Sequence, residues 1–292
     1  MREERHPSLS RLTTLGIGGY AKAIFYPETV EDLQTVQERI AEAGRPYVLG
    51  RGSNTLAQDG ELDLVVVKPA FAETIAASSE DDGVRVRVSA SCMLPKLLAY
   101  TASHGYAGLE ALAGIPGTLG GAIAMNAGSF GTEIGSLVSE VTVWQNGTLL
   151  RIPRSDLSFG YRSFRFPHQD AFFVITEALL TLGRGKAEEL VSAQKAHLAT
   201  KRNRQPITEK SAGCVFKNPE GCFAGKLLEE AGLKGARLGG MAFSTLHANF
   251  MINTGQGTAQ EAFALIEKAK DAVYAKHGLV LTPEVRIVPC LP

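Results

Sequence analysis

The sequence predicts an α+β protein of two domains, and three observations carry that prediction. Its 292 residues correspond to about two domains at roughly 100 to 200 residues each. Strand-like and helix-like periods follow one another along the chain, with neither dominating. The two parts also differ in chemistry. Residues 97–150 are glycine-rich and contain no Lys or Arg, whereas residues 201–240 carry eight basic side chains against four acidic ones.

In chain order, VEDLQTVQERIAEAG (30–44) has apolar residues at 30, 33, 36 and 40, Thr29 placed to cap its start and Gly44 to stop it, so it predicts an amphipathic helix. PYVLG reads as a short strand running into GRGSNTL. LDLVVVKP reads as a buried strand, and GVRVRVS as a half-exposed one because its residues alternate. LPKLLAYTASHG predicts a helix. LVSEVTVWQNGTLLRIP (137–153) predicts a hairpin about Asn146-Gly147, a pair suited to a two-residue turn with positive φ. FFVITEALLTL completes the first domain as a strand. LGRGKAEE (182–189) is the expected linker, dividing the chain into residues 1–183 and 184–292. Beyond it the sequence predicts helices over KAEELVSAQKAHLATKRN, around AGKLLEEAGLKG and over TAQEAFALIEKAKDAVYAKHGL, with strands at NFMIN and VRIVP.

Thirty basic residues balance thirty acidic ones, so net charge points neither to nucleic acid nor to a membrane surface. No run approaches the roughly 18 apolar residues of a membrane span, and the charged start MREERHPSLS lacks the apolar core of a signal peptide. A cytoplasmic protein with reduced thiols is expected. The cysteines at 92, 214, 222 and 290 include no pair at metal-knuckle or redox-dithiol spacing, so no metal is expected.

There are 31 glycines in the 292 residues, about one in nine, against a usual proportion of about 7 per cent. They cluster in GRGSNTL (50–56) and AGIPGTLGGAIAMNAGSFG (113–131). Glycine lets main-chain N–H groups approach an anion closely. With no cation between 97 and 150, a phosphate there has to be held by amides and by groups such as Thr118 and Asn126. That mode suits a permanently seated pyrophosphate. Neither stretch is a Walker loop or a dinucleotide fingerprint inside a βαβ unit. In the second domain Lys201, Arg202, Arg204, Lys210, Lys217, Lys226, Lys234 and Arg237 surround the glycine-flanked Cys214. Cations in that number suit an anionic substrate that exchanges. Cys214 itself has two readings, a small packed hydrophobe or a chemical group.

TTLGIGG (13–19), GRGSNTL, GIPGTLGGAIAMNAG, FGYRSFRF (159–166), SAGCVFKNP (211–219), AGKLLEEAGLKG, HANFMIN (247–253) and PEVRIV (283–288) occur in the order found in the UDP-N-acetylenolpyruvoylglucosamine reductase family, which the chain resembles over nearly its whole length. The resemblance implies an FAD-binding domain of the PCMH type followed by a smaller α+β substrate domain. It implies NADPH as the reductant of FAD, and reduction of an enolpyruvyl ether of UDP-N-acetylglucosamine to UDP-N-acetylmuramate for peptidoglycan. The flavin pyrophosphate loops it implies are Gly50, Arg51, Gly52, Ser53, Asn54, Thr55 and Leu56, together with Gly114, Ile115, Pro116, Gly117, Thr118, Gly120, Gly121, Ala122, Asn126 and Gly128. The catalytic set it implies is Arg162, Cys214 and Glu284. The substrate contacts are Tyr161, Arg204, Lys217, Asn218, His247 and Asn249. A monomer with a small-molecule substrate is expected.

The chemistry explains why such groups are wanted. Hydride addition to the terminal enolpyruvyl carbon leaves negative charge on the adjacent carbon and its carboxylate, which a fixed cation such as Arg162 and a donor can meet. Glu284 serves if protonated, or orients a neighbour. The carbanion then needs a positioned acid. Cys214 stands where the family commonly has serine, and a thiol, with a reference pKa near 8.5, is the better acid of the two. Rival readings are a flavin oxidase of the wider PCMH group, a nucleotide-sugar carrier, and a hydrolase using Cys214 with His247.

Overall fold

The computed structural model describes residues 1–80, 83–169 and 171–289; Cys290 lies outside them. The chain forms two compact units, Met1–Glu4, Ala23–Arg51 and Val65–Thr200 in the first, and Arg5–Lys22, Gly52–Leu64 and Lys201–Pro292 in the second. This division differs from a single cut at 183/184. Two early segments, carrying TTLGIGG and most of GRGSNTL, belong with the C-terminal residues, and the expected linker lies inside the first unit.

In the first unit, α1 (Val30–Ala43) starts at a capping box in which Thr29 and Asp32 exchange side-chain and backbone bonds, and it stops at Gly44. Its Leu33, Val36 and Ile40 are buried with Phe25, Val65, Val67 and Trp144. The hairpin at 138–153 forms as expected. Gln145 pairs with Thr148, and Asn146 and Gly147 have φ of 48° and 78°, the turn that matches strand twist. Val138–Gln145 also pairs with Phe173–Arg184, which pairs with Gly83–Ser89, and that strand with Ile75–Glu80. All these pairings are antiparallel. The short strand Ile75–Glu80 has no strong apolar pattern and was not legible. α2 (Leu94–Ser103) buries Leu94, Leu97 and Leu98 in this unit's main core.

The glycine-rich stretch after α2 holds a further element, α3 (Leu119–Ala124), whose N-cap Thr118 accepts from the Gly121 N–H. Two glycines in six residues hide it from propensity; the capping threonine is its sequence signal. α4 (Ala187–Arg204) begins in the first unit and ends in the second.

The second unit is built on an antiparallel sheet with strand order Ser211–Cys214, Phe250–Asn253, Met241–Phe243, Arg237–Leu238. α5 (Ala224–Glu230) and α6 (Ala259–His277) bury Leu227, Leu228, Leu265 and Ile266 in a core with Val215, Phe216, Met241 and Phe243. α6 starts at a capping box between Thr258 and Glu261 and ends at Gly278, φ 68°. Arg286–Val288 pairs in parallel with Thr55–Ala57.

Candidate active site

In the first unit the two glycine-rich stretches meet. A Cβ on Gly50 would lie 2.8 Å from Thr118 Oγ1, and the Gly121 Cα is 3.9 Å from the same point. Glycine at 50 is therefore what lets the loops close on one another. The N–H groups of Gly50, Arg51, Gly114 and Gly117 donate to no acceptor among the described residues, and Gly117 is buried. Main-chain donors left over by a fold are rare when buried. A cradle of such donors lined by glycine fits the diphosphate of FAD.

Lys68, which the sequence reading missed, supplies charge here. It directly follows the strand Glu61–Val67, its Nζ donates to the Gly50 carbonyl, and burial, then the nearby Arg51, push its pKa below the usual lysine range. The signal was a lone cation closing a run of buried valines in VVVKP.

Other residues of these stretches serve the protein itself. Gly120 donates to the Ala90 carbonyl at 2.9 Å, and a Cβ on it would lie 3.0 Å from that of Ala90. Ala122 is core, and Gly128 pairs with Glu133. Ile115 is half-buried and Pro116 exposed.

Asn126 corrects an expectation. Its Nδ2 donates both hydrogens, to Glu133 Oε2 at 2.7 Å and the Gly160 carbonyl at 3.0 Å, and its Oδ1 accepts from the Gly135 N–H at 3.0 Å. No amide hydrogen remains for a phosphate. The fully buried carboxamide instead ties down the Ser158–Gly160/Ser163–Arg165 hairpin, whose tip is Tyr161-Arg162. Arg162 sits there at φ 55°, uncommon for a non-glycine residue, with its guanidinium 4.8 Å from the Tyr161 ring centre.

In the second unit Cys214 lies on a bulge. Ser211 pairs with Ile252 and Cys214 with Phe250, so three steps on one strand face two on the other. Gly213 absorbs the extra residue at φ 75°. Bulges of this kind re-aim side chains and are common beside active sites. Cys214 is half-buried. The next residue, Val215, accepts at its carbonyl from the Glu284 N–H at 2.7 Å. Asn54 then links Glu284 to the first glycine loop, because its Nδ2 donates to the Glu284 carbonyl at 3.2 Å and its own carbonyl accepts from Arg286 at 2.9 Å. The structure thus brings together Asn54, Cys214 and Glu284.

Around them, the Gly52 carbonyl accepts from Thr14 N–H at 3.2 Å, and Thr14 Oγ1 donates to the Ser211 carbonyl at 2.6 Å. The TTLGIGG threonine is thus a strut that the sequence reading left without a role. Ser53 is half-buried, and Thr55 and Leu56 are buried in their strand.

Among the expected substrate contacts, Asn249 is engaged by the protein. Its carboxamide accepts from Phe216 N–H at 2.9 Å and donates to the Phe216 carbonyl at 2.8 Å, so it clamps the segment just after the strand that ends at Cys214. Asn218 Oδ1 accepts from Ala224 N–H at 3.0 Å. His247 Nδ1 accepts from Asn249 N–H at 3.2 Å, and burial holds its pKa below the usual histidine value. The Lys217 N–H donates to the Thr282 carbonyl at 2.9 Å. Arg204 is exposed at the end of α4. Among the described residues no cluster of metal-ligating side chains occurs, and no helix is long and apolar enough to cross a membrane.

Residues 21–152 match the FAD binding domain family, and residues 205–288 match the family "UDP-N-acetylenolpyruvoylglucosamine reductase, C-terminal domain". The expected α+β chain with an FAD-binding domain followed by this family's C-terminal domain is therefore present. Two similar proteins, both UDP-N-acetylenolpyruvoylglucosamine reductases, come from Nitratidesulfovibrio vulgaris, 44% identical over 98% of each chain, and Oleidesulfovibrio alaskensis, 46% identical over 97% of each. The crystal structure of the Thermus caldophilus reductase superposes with a TM-score of 0.85 at 33% identity, covering 99% of this chain and 100% of that one. With the cradle, the bulged cysteine and this full-length likeness together, the chain belongs to the UDP-N-acetylenolpyruvoylglucosamine reductase family.

Proposed function

We propose that this chain is an NADPH- and FAD-dependent reductase that converts the enolpyruvyl ether of UDP-N-acetylglucosamine to UDP-N-acetylmuramate, a peptidoglycan precursor. The observation that carries the reading is the holding of Glu284 by the carbonyl of Val215, next in sequence to Cys214, and by the Asn54 carboxamide in a chain of this family. When bound, FAD supplies a hydride, received from NADPH, to the terminal enolpyruvyl carbon. The protein's residues do the rest. Amides of the glycine-rich stretches hold the diphosphate. Arg162 meets the negative charge that appears on the enolpyruvyl carboxylate, a role for which its planar, permanently charged group suits it. Cys214 Sγ delivers a proton to the carbon bearing that carboxylate, and the thiolate left behind takes a proton from solvent. Glu284, held against Val215, supports the same developing charge as a donor or by orienting a neighbour.

Tyr161, Arg204, Lys217 and Asn218 contact the nucleotide sugar in this reading, with His247 and Asn249 shaping the strand and loop behind them. FAD belongs to residues 1–183 and the nucleotide sugar to residues 184–292, with Gly52–Leu56 shared between the two tasks. The enzyme works as a monomer in the cytoplasm.

The test is a pair of half-reactions. The purified protein should be yellow, be bleached by NADPH without oxygen, and regain its colour when the enolpyruvyl nucleotide sugar is added. A colourless protein, or reduced flavin that only oxygen reoxidises, overturns the reading.

A further inference from the structure

The glycine-rich stretches explain how main-chain donors are exposed, but not what fixes their direction. The Gly50 carbonyl and the Arg51 N–H belong to one planar, trans peptide unit, in which the two bonds point in opposite directions. Lys68 Nζ donates to that carbonyl, whereas the Arg51 N–H has no acceptor among the described residues. The lysine is itself anchored, because its N–H donates to the Phe25 carbonyl at 2.9 Å, and Leu49 N–H, just before the loop, donates to Val67 just before the lysine at 2.8 Å.

We propose that Lys68 is a positioning residue for the flavin diphosphate: by gripping the Gly50 carbonyl, it aims the Arg51 N–H into the cradle and polarises it. The inference rests on the reading that this cradle holds FAD. A cation on the carbonyl end of a peptide strengthens its N–H as a donor, since linked hydrogen bonds polarise one another.

The charges agree. Neither Lys68 nor Arg51 has a carboxylate partner among the described residues, and burial of the lysine and the neighbouring Arg51 both disfavour its charged form. An anion that accepts from the Arg51 N–H relieves that repulsion. The cation also sits outside the 97–150 stretch that lacks Lys and Arg, so it complements a cradle otherwise made of amides.

The experiment titrates apoprotein with FAD and with riboflavin, which lacks the diphosphate, and follows flavin fluorescence. The parent should prefer FAD; if it binds both equally, the cradle reading itself fails. Lys68→Met should weaken FAD binding about ten- to hundred-fold, the span of a charge-assisted hydrogen bond, and leave riboflavin binding unchanged. Unchanged FAD binding, or equal losses for both flavins, overturns the inference, the second outcome marking Lys68 as merely structural. Lys68→Arg keeps the cation but shifts its donors, and guards against a methionine variant that does not fold. It should retain most of the affinity and move the phosphorus resonances of bound FAD while the visible spectrum stays put. Unmoved resonances count against the proposal.

Discussion

Replacing Asn126 with glycine isolates one buried polar network with little disturbance to the backbone. Asn126 has φ of 41°, a conformation glycine adopts at no steric cost, so Asn126→Gly removes the carboxamide and little else. Three hydrogen bonds go with it. The one to the Glu133 carboxylate is charge-assisted and contributes about 1.5–3 kcal/mol, and the two to the Gly160 carbonyl and Gly135 N–H about 0.5–1.5 kcal/mol each. The sum is about 2.5–6 kcal/mol, part of which water entering the space restores, leaving a loss of about 2–4 kcal/mol. Trp144, the chain's single tryptophan, is buried in the same compact unit and reports its unfolding. Its fluorescence midpoint in urea should drop by about 1 M or more.

A functional effect should accompany this loss. The ring of Phe159 packs on Gly135, where a Cβ would lie 2.4 Å from the ring, so Asn126, Gly135 and Gly160 together seat the hairpin carrying Arg162. Loosening that seat should slow flavin reoxidation by the enolpyruvyl substrate more than flavin reduction by NADPH. A variant with the parental urea midpoint and both half-reactions intact refutes the reasoning.

The two neighbouring helix glycines should behave differently. Gly120→Val should destabilise the fold, because its Cβ would press on Ala90, whereas Gly121→Val, whose Cβ meets only Thr118 Oγ1 at 3.4 Å, should fold and lose FAD; yellow Gly121→Val protein counts against the cradle. Cys214→Ala should keep NADPH-driven bleaching and lose reoxidation by substrate, while Cys214→Ser keeps part of it. Iodoacetamide mapping of folded protein should leave Cys92 unlabelled, since it is fully buried and burial pushes its pKa to about 11. Labelling of Cys92 before unfolding would contradict the packing described. For His247, burial depresses the folded pKa, so the unfolded chain binds the proton first: stability is intact above about pH 6.5 and declines as pH falls through the folded value. His247→Gln should flatten that acid limb in urea midpoints measured between pH 7 and 5, and an unchanged limb rejects this origin.

Local signals made much of the fold legible. Thr29 at the start of α1 and the Asn146-Gly147 turn fix element ends by bonds within a few residues and occur as read, and Thr258 with Glu261 does the same for α6. α3 and the strand Ile75–Glu80 escaped because their stability comes from packing and not from propensity. The site was legible as a set of motifs but not as an arrangement. Sequence order places GRGSNTL with the N-terminal half, yet Gly52–Leu64 folds with residues 201–292, because Thr55–Ala57 finds its parallel partner at Arg286–Val288, a pairing no short-range pattern reveals. Asn126 and Asn249 were read as ligand contacts because an amide in a motif looks the same whether it faces a ligand or a backbone. Their burial, at 0% and 2% exposure, decides for the protein's own groups. Lys68 was invisible for the opposite reason, being a cation outside every motif whose partner is a carbonyl 18 positions earlier.

Cys214 and Glu284 sit on segments fixed by main-chain bonds. Glu284 is held through its own N–H on the Val215 carbonyl and its own carbonyl under Asn54, and the path of residues 213–215 is set by the Gly213 bulge and by Val215 N–H on the Asn249 carbonyl at 2.8 Å. All of these are main-chain groups of the two residues' segments, so replacing either side chain leaves them in place. The supporting side chains are Asn54 and Asn249, both of which are lost on substitution. Cys214 and Glu284 variants should therefore keep these main-chain bonds, and a kinetic loss reads as chemistry where the urea midpoint stays parental. Asn54→Ala and Asn249→Ala should lose stability first, with the Asn249 variant worse because both its bonds to Phe216 are buried and their loss strands a donor and an acceptor together.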